Sequence, residues 1–391
     1  MTVNRMVTET ATEVRLYEAE SPVAIPWREL RHGPLAEALV RPYFGKRSSA
    51  LITNTDHHVM LAEVDGQALP LVVNDGNDSE CYLTSPYINY IVYSLDFVRR
   101  LPQRRWRWPL HGIVALFATF VRRRDLDRVV YVNHWLVATG PRYALSPAQL
   151  DRLKTTLLRH FPNHAIVVRG VRADYTAQFF STSPPLGWHA LFNRNVYVWS
   201  HDHARSIKPS REFRQDRRRL DASRESVRMS AVLDSPQMAQ LKSLYEQLYL
   251  EKYSRYNPQL SQHWFDTIAG NALVDVHTID GEGAVNYFVC SFDTDEEMIG
   301  SVVGHQPELS KRLGLYRMGV SLLMRRAAER SLPLNLSSGS GRFKSKRDAV
   351  PVAEHEWYFV SHLPRRIRFS WHLVAFAYER LARPLYQVLH I

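Results

Sequence analysis

From residue 235 onward the spacing of apolar positions switches between the helical and the strand period. In "SPQMAQLKSLYEQLYLEKYSRY", Met238, Leu241, Leu244, Tyr245 and Leu248 recur at three- and four-residue intervals, which predicts a helix. "LSQHWFDTIAG" predicts a second helix, stopped at Gly270. "LVDVHTI", "AVNYFVCSF" and "MIGSVVG" follow as strands. The turns between them, with Asp280, Gly281 and Gly283 and then "DTDEE", are short, so the three form an antiparallel meander. "HQPELSKRLGLYRMGVSLLMRRAAERSLP" predicts a polar loop and then a helix whose stripe of Tyr316, Gly319, Val320, Leu323 and Ala327 packs on a sheet. "LPLNLSS" is a buried strand, a glycine-containing loop follows, and "EHEWYFVS" is a further strand.

The first half repeats this order more faintly. "HHVMLAEV" and "ALPLVVN" form a hairpin around "DGQ", and "DRVVYVNHWL" is a strand. "SPAQLDRLKTTLLRHFP" is a helix opened by a capping box of Ser146 and Gln149, with Pro147 at its first position. "HAIVVRGV" and "NVYVWS" supply two more strands. The recurrence predicts an α/β (α+β) chain of two similar folds, each a mixed, mostly antiparallel sheet flanked by helices. The expected division is 1–204, with an insertion at about 80–125, then 205–362, then a basic, aromatic helical tail at 363–391.

Composition adds the kind of partner. The net charge of +11 over 391 residues favours anionic ligands: nucleotide phosphates, RNA, an acidic carrier protein or an anionic membrane face. Two cysteines, Cys81 and Cys290, support neither a disulfide framework nor a cysteine-rich zinc site, and suit a cytoplasmic location. The first twenty residues lack the apolar core of a secretory signal. "PLHGIVALFATFV" at 109–121 is too short to span a bilayer, yet "RRWRW" and "RRRD" flank it, a composition suited to the inner membrane surface as well as to packing. The tail, with Trp371, Phe376 and Tyr386, has the same two readings.

Two basic loops carry the candidate chemistry. At 310–319, Gly314 lets backbone approach a ligand, a helix N-terminus offers unpaired N–H groups, and Lys311, Arg312 and Arg317 add charge, which suits a phosphate. In "LNLSSGSGRFKSKRDA" at 334–349, Gly339 and Gly341 remove side-chain bulk; Phe343 packs inward, leaving Lys344 and Arg347 to face a cleft. The arginine-rich "KPSREFRQDRRRLDASRES" reads as a helix with Arg211, Arg214 and Arg218 on one face, a solvated surface or an anion-binding one. No Gly-x-Ser-x-Gly elbow, complete NTPase phosphate loop or His-Glu-x-x-His occurs. The His57–His58 and His201–His203 pairs lack a third ligand, so no metal is expected.

The glycine segment with its Phe343-Lys344 pair and basic turn, together with "GHQPELSKRLGLYRMGVSLLMRRAAER", resembles the GNAT superfamily of acyltransferases, more closely its FemAB-like branch, in which two such folds share one chain. The chain departs from that superfamily's usual phosphate loop, with Lys311, Gly314 and Tyr316 at the comparable places. The resemblance implies an N-acyltransferase that forms an amide from an activated donor and a small-molecule amine. The implied donor is an acyl-CoA or acyl carrier protein thioester, with no tightly bound cofactor, or, alternatively, an aminoacyl-tRNA. A non-catalytic RNA- or membrane-binding scaffold is the third reading, and DNA is not an expected partner. The resemblance also implies that the donor carbonyl meets backbone N–H groups around Val303 and Gly304. It makes His305 a candidate base and places Tyr253, Tyr256 and Glu246 at the acceptor side. Tyr87, Asn89, Tyr90 and Tyr93 are a stretch that lines the acceptor pocket or packs in the core.

Overall fold

The computed structural model describes residues 14–18, 24–77, 79–101, 104–172, 174, 184–206, 208–223, 226–228, 232–281 and 283–389. Most of the N-terminal stretch read above for a secretory signal lies outside them.

The strands are β1 (Arg15–Tyr17), β2 (His58–Val64), β3 (Gln67–Asp75), β4 (Arg128–Val132), β5 (Ala165–Arg172), β6 (His189–Trp199), β7 (Val227–Arg228), β8 (Asp275–Gly281), β9 (Ala284–Asp293), β10 (Met298–His305), β11 (Leu334–Asn335) and β12 (Val350–Phe359). They form one sheet in the order β1-β2-β3-β4-β5-β12-β6-β11-β10-β9-β8-β7. The two sides run in mirrored order outward from the β12–β6 pair, each with an antiparallel meander followed by one parallel pair, β4–β5 and β10–β11. The expected meander and hairpin are present. The β2–β3 turn uses Asp65 at φ 46° and Gly66 at φ 75°, the double positive φ that matches strand twist.

Three expectations need correction. "EHEWYFVS" does not close the second half's sheet: as β12 it pairs with β5 on one side and with β6 on the other. The strand in "DRVVYVNHWL" stops at Val132, because Asn133 enters the left-handed region and its Oδ1 accepts from Trp135 Nε1 at 2.7 Å. The loop expected before the helix at 315 is largely helical, Pro307–Leu313, with proline in its first turn and Gly314 ending it at φ 74°.

Strand periodicity divides the core. In β4, Val129 and Tyr131 join a large cluster with Trp264, Phe288 and Trp371, while Val130 and Val132 face the helix Pro147–His160 and its Leu150, Leu153 and Leu157. That helix carries the predicted capping box. In the second half, Tyr287 and Val289 of β9 meet the helix Leu315–Glu329 through Leu315, Met318 and Leu323. Gly319 makes that contact possible, since a Cβ there would lie 2.1 Å from the Tyr287 ring. Gly319→Ala must push helix and sheet apart. It should destabilise the protein by about 2 kcal/mol, as overpacking does, read as a lower urea midpoint with unchanged slope.

Candidate functional site

The parallel contact between β10 and β11 is two residues long, Met298–Leu334 and Ile299–Asn335. Past Ile299, β10 bulges between Gly300 and Val303 and then pairs with β9 alone, through Val303, Gly304 and His305. The sheet therefore splays, and alternate main-chain groups on the open side of β10 have no strand to bond. The helix Ser235–Glu246 crosses over this region so closely that a Cβ on Gly304 would lie 2.8 Å from the Tyr245 nitrogen and 2.3 Å from Phe288.

The splay opens into a cleft of about 1110 Å³. Val303, His305, Lys311, Gly314, Arg317, Gly339 and Tyr253 line it, as do Asn89 and Tyr93. Six further candidates stand away from its walls. Gly304 is buried beneath the helix Ser235–Glu246. Tyr256 turns its hydroxyl to Arg255 at 3.3 Å, and Glu246 is held by Lys242 at 2.5 Å one helical turn away. Arg312, Gly341 and Phe343 are not wall residues either. Phe343 packs on the Tyr316 ring at 4.9 Å with the Arg347 guanidinium 3.4 Å above it.

Lys344 and Arg347 overturn the expectation that both face the cleft. Arg347 is buried on Asp216, Nε to Oδ2 at 2.5 Å, and Asp216 Oδ1 accepts from Arg317 Nε at 2.6 Å. One carboxylate from the arginine-rich helix Arg211–Ala222 thus engages two of the predicted anion-binding cations and offsets one of their two charges. Lys344 is 3% exposed and donates to the carbonyl oxygens of Leu336, Ser337 and Ser338 at 2.6, 3.3 and 2.8 Å. Burial, and then Arg194, push its ammonium down to about 7.

This buried lysine shapes the loop above it. In a trans peptide C=O and N–H point opposite ways, so drawing the carbonyls of Ser337 and Ser338 inward turns the N–H groups of Ser338 and Gly339 away from Lys344. Positive φ at Ser337 (58°), Gly339 (75°) and Ser340 (51°) gives the backbone the curvature of an anion-binding nest. Across the cleft, Lys311 is a cation with no partner among the described residues, and Gly314 begins the helix Leu315–Glu329. The N–H of Tyr316 is already bonded to Ser310 Oγ at 3.2 Å.

The floor holds residues that periodicity alone had passed over. Arg194 of β6 bonds Glu354 at 2.7 Å and reaches Thr139 Oγ1 at 3.0 Å, while Arg169 of β5 bonds Glu356 at 3.1 Å and Tyr90 donates to the same carboxylate at 2.7 Å. A charged residue at an inward strand position was the available signal: Arg169 in "HAIVVRGV", and Glu354 with Glu356 two apart on one face of β12. Tyr82, Tyr249 and Tyr316 complete the walls; burial pushes the Tyr316 phenol up to about 12. His305 is 6% exposed, lies 6.1 Å from the Tyr287 ring centre, and keeps Nδ1 without a hydrogen-bond partner. Burial pushes its pKa down to about 4, so the ring is neutral at pH 7. Among the described residues no group of three His, Cys, Asp or Glu side chains could hold a metal, and no helix is long and apolar enough to cross a membrane.

No family model matches the chain, and no curated protein does. Solved structures similar to it include FemX, at 9% identity over 86% of this chain and 90% of that one, TM-score 0.45. L-PGS from Bacillus licheniformis is similar at 12% identity over 58% and 77%, TM-score 0.41, and a GCN5-related N-acetyltransferase from Kribbella flavida at 11% over 59% and 80%, TM-score 0.33. Likeness at these levels says nothing about substrate.

Lys344→Met takes the lysine donor from the carbonyls of Leu336 and Ser338, while Ser337 keeps the Tyr197 N–H at 3.1 Å, so it should lower stability by about 2–4 kcal/mol in ligand-free protein. A lysine acting only on ligand would leave that value unchanged. The sign with pH follows from the lowered pKa. Between about 7 and the ordinary 10.5 the unfolded chain binds the extra proton, so native stability rises with pH across that window. Urea titrations at several pH values should show this rise in the native protein and its loss in Lys344→Met.

Proposed function

We propose that the protein is an N-acyltransferase of GNAT-like, FemAB-like type, which moves an acyl group from an activated donor to an amine and forms an amide. The observation that carries this reading is the splay of β10 from β11, which opens main-chain donors beside a helix N-terminus and Lys311, which has no partner among the described residues. In this reading the anionic handle of an acyl-CoA or carrier-protein thioester lies between Lys311, the Gly314 helix start and the nest around Gly339. The thioester oxygen accepts from an N–H of β10 near Val303. The amine nitrogen attacks the carbonyl carbon, the C–N bond forms and the C–S bond breaks. The amine proton passes to neutral His305 or to water, and the thiolate leaves and takes up a proton.

His305→Gln should lower kcat by about 100-fold with KM little changed. Because His305 stays neutral down to about 4, the native rate should show no acid limb from this residue near pH 6.5. A His305→Gln enzyme of native rate would remove the residue from the mechanism. The donor is identified by melting-temperature shifts with CoA thioesters, acylated carrier protein and charged tRNA. The true donor at 100-fold its Kd stabilises by about 2.7 kcal/mol. Ribonuclease sensitivity of the transfer would assign it to the aminoacyl-tRNA route instead. Salt-sensitive RNA binding with no response to any acyl donor would leave the scaffold reading.

The reading places the enzyme in the cytoplasm, in peripheral contact with membrane. Trp106, Trp108, Leu116 and Phe120 of the helix Arg104–Phe120 are exposed, Trp108 by 85%, with Arg104 and Arg105 beside them. Exposed aromatics beside arginines suit an anionic lipid surface. The protein should co-sediment with phosphatidylglycerol vesicles at low salt, and Trp106→Ser/Trp108→Ser should abolish this; native sedimentation by the variant would refute the contact.

A further inference from the structure

The helix Arg104–Phe120 and the C-terminal helices Arg365–Ala377 and Arg383–Leu389 do not close against each other. Between them and the segment 88–98 runs a groove of about 270 Å³, walled by side chains such as Phe97, Val114, Phe117, Ala377 and Leu381. Of its polar side chains, Ser94 Oγ and the Tyr378 hydroxyl lie 2.5 Å apart and the Tyr90 hydroxyl is bonded to Glu356, which leaves Arg380 and Tyr386 as the other polar residues of the lining. A ligand in this groove meets mostly hydrocarbon, with Arg380 as the one charged side chain of its lining among the described residues, whereas the cleft beside it is lined by Arg169, Arg194, Asn193 and Asn195.

The two spaces adjoin. Ser94, Phe97, Tyr378 and Tyr386 line both. A molecule that fills both must be polar and reactive at one end and a plain hydrocarbon at the other. The volume, at about 30 Å³ for a water-sized group, corresponds to a chain on the order of ten carbons.

We infer that one substrate carries a straight alkyl chain, which lies in the groove between the helix Arg104–Phe120 and the C-terminal helices while its reacting group sits in the polar cleft. This rests on the transfer reading for the reaction, though not for the groove itself. An acetyl donor paired with a small polar acceptor would leave the groove with nothing to hold. The chain has two sources, a fatty acyl group on the donor or an aliphatic amine as acceptor, and both present the same hydrocarbon to the same walls.

The test uses the full-length protein and displacement of a fluorescent undecanoate probe by straight-chain carboxylates from butanoate to tetradecanoate. Affinity should rise by about fourfold per added methylene, the worth of burying one CH₂, and level off near decanoate or dodecanoate. Val114→Trp and Ala377→Trp fill the groove from opposite walls. Each should weaken decanoate at least tenfold while leaving the melting temperature and the response to unacylated coenzyme A at native values; two variants guard against one that fails to fold. Decanoyl-CoA binding at least tenfold tighter than acetyl-CoA assigns the chain to the donor, and decylamine binding with the same loss in both variants assigns it to the acceptor. Affinity that ignores chain length, or chain-length dependence untouched by both variants, overturns the inference while the transfer reading stands. Groove-dependent binding of the chain with no amide formed from any donor keeps the groove and removes the transfer reading.

Discussion

The antiparallel pairing of β6 with β12 is the constraint on which the rest of the structure depends. By chain order β6 ends the first half and β12 ends the second, yet β6 lies against β11 of the second half and β12 against β5 of the first. Each half completes the other's sheet. Cutting the chain near residue 204 would leave β5 and β11 as edges with unsatisfied main-chain groups. Buried charges cross the same seam: Arg194 with Glu354, Arg169 with Glu356, and Arg172 with Glu297. Such pairs add little net stability once desolvation is counted, but a one-residue slip of β12 would leave Arg194 and Arg169 without Glu354 and Glu356. Their value is to fix the register of the strands that form the cleft floor.

That seam also explains which parts of the fold were legible in the sequence. Hairpin, meander and capped helices are local, and their signals lie within a few residues: Ser146 with Gln149, Asp65 with Gly66, the periodic leucines of 147–160. The partner of a strand is not a local property, and "EHEWYFVS" carries no mark that sends it to β5 at 165–172. The helix at 307–313 was available from Pro307 and Gly314, since proline in a first turn and glycine at the end bracket a short helix. In sequence its polar composition masks those two signals.

The candidate site was legible in its location but not in its wiring. Both basic loops do meet at one cleft, through Lys311, Gly314, Arg317 and Gly339. Counting cations overstates the charge free for a ligand, because Asp216, on the arginine-rich helix, is the shared counter-ion of Arg317 and Arg347. Lys344 was misdirected for a related reason. A lysine enters the interior only where oxygens converge on it, and the three carbonyls that do so are gathered by positive φ at Ser337, Gly339 and Ser340, two of which are serines that give no such signal in sequence.

The mirrored halves and the parts added to them divide the work of the cleft. The mirrored elements supply the splayed strand, the helix start and the seam of arginines and glutamates, which together make a place for charge and, in the proposed reading, for a reacting carbonyl. The helix Arg104–Phe120, inserted between β3 and β4, and the helices after β12 belong to neither repeat. They are the elements that wall the apolar groove, and they meet the polar cleft at Tyr378 and Tyr386. A fold shared among many chemistries is specialised where material is added to it. In this chain that material is hydrocarbon-lined and adjoins the polar cleft. In the proposed reading, discrimination between substrates therefore falls to hydrophobic length, and the polar floor holds whatever end they have in common.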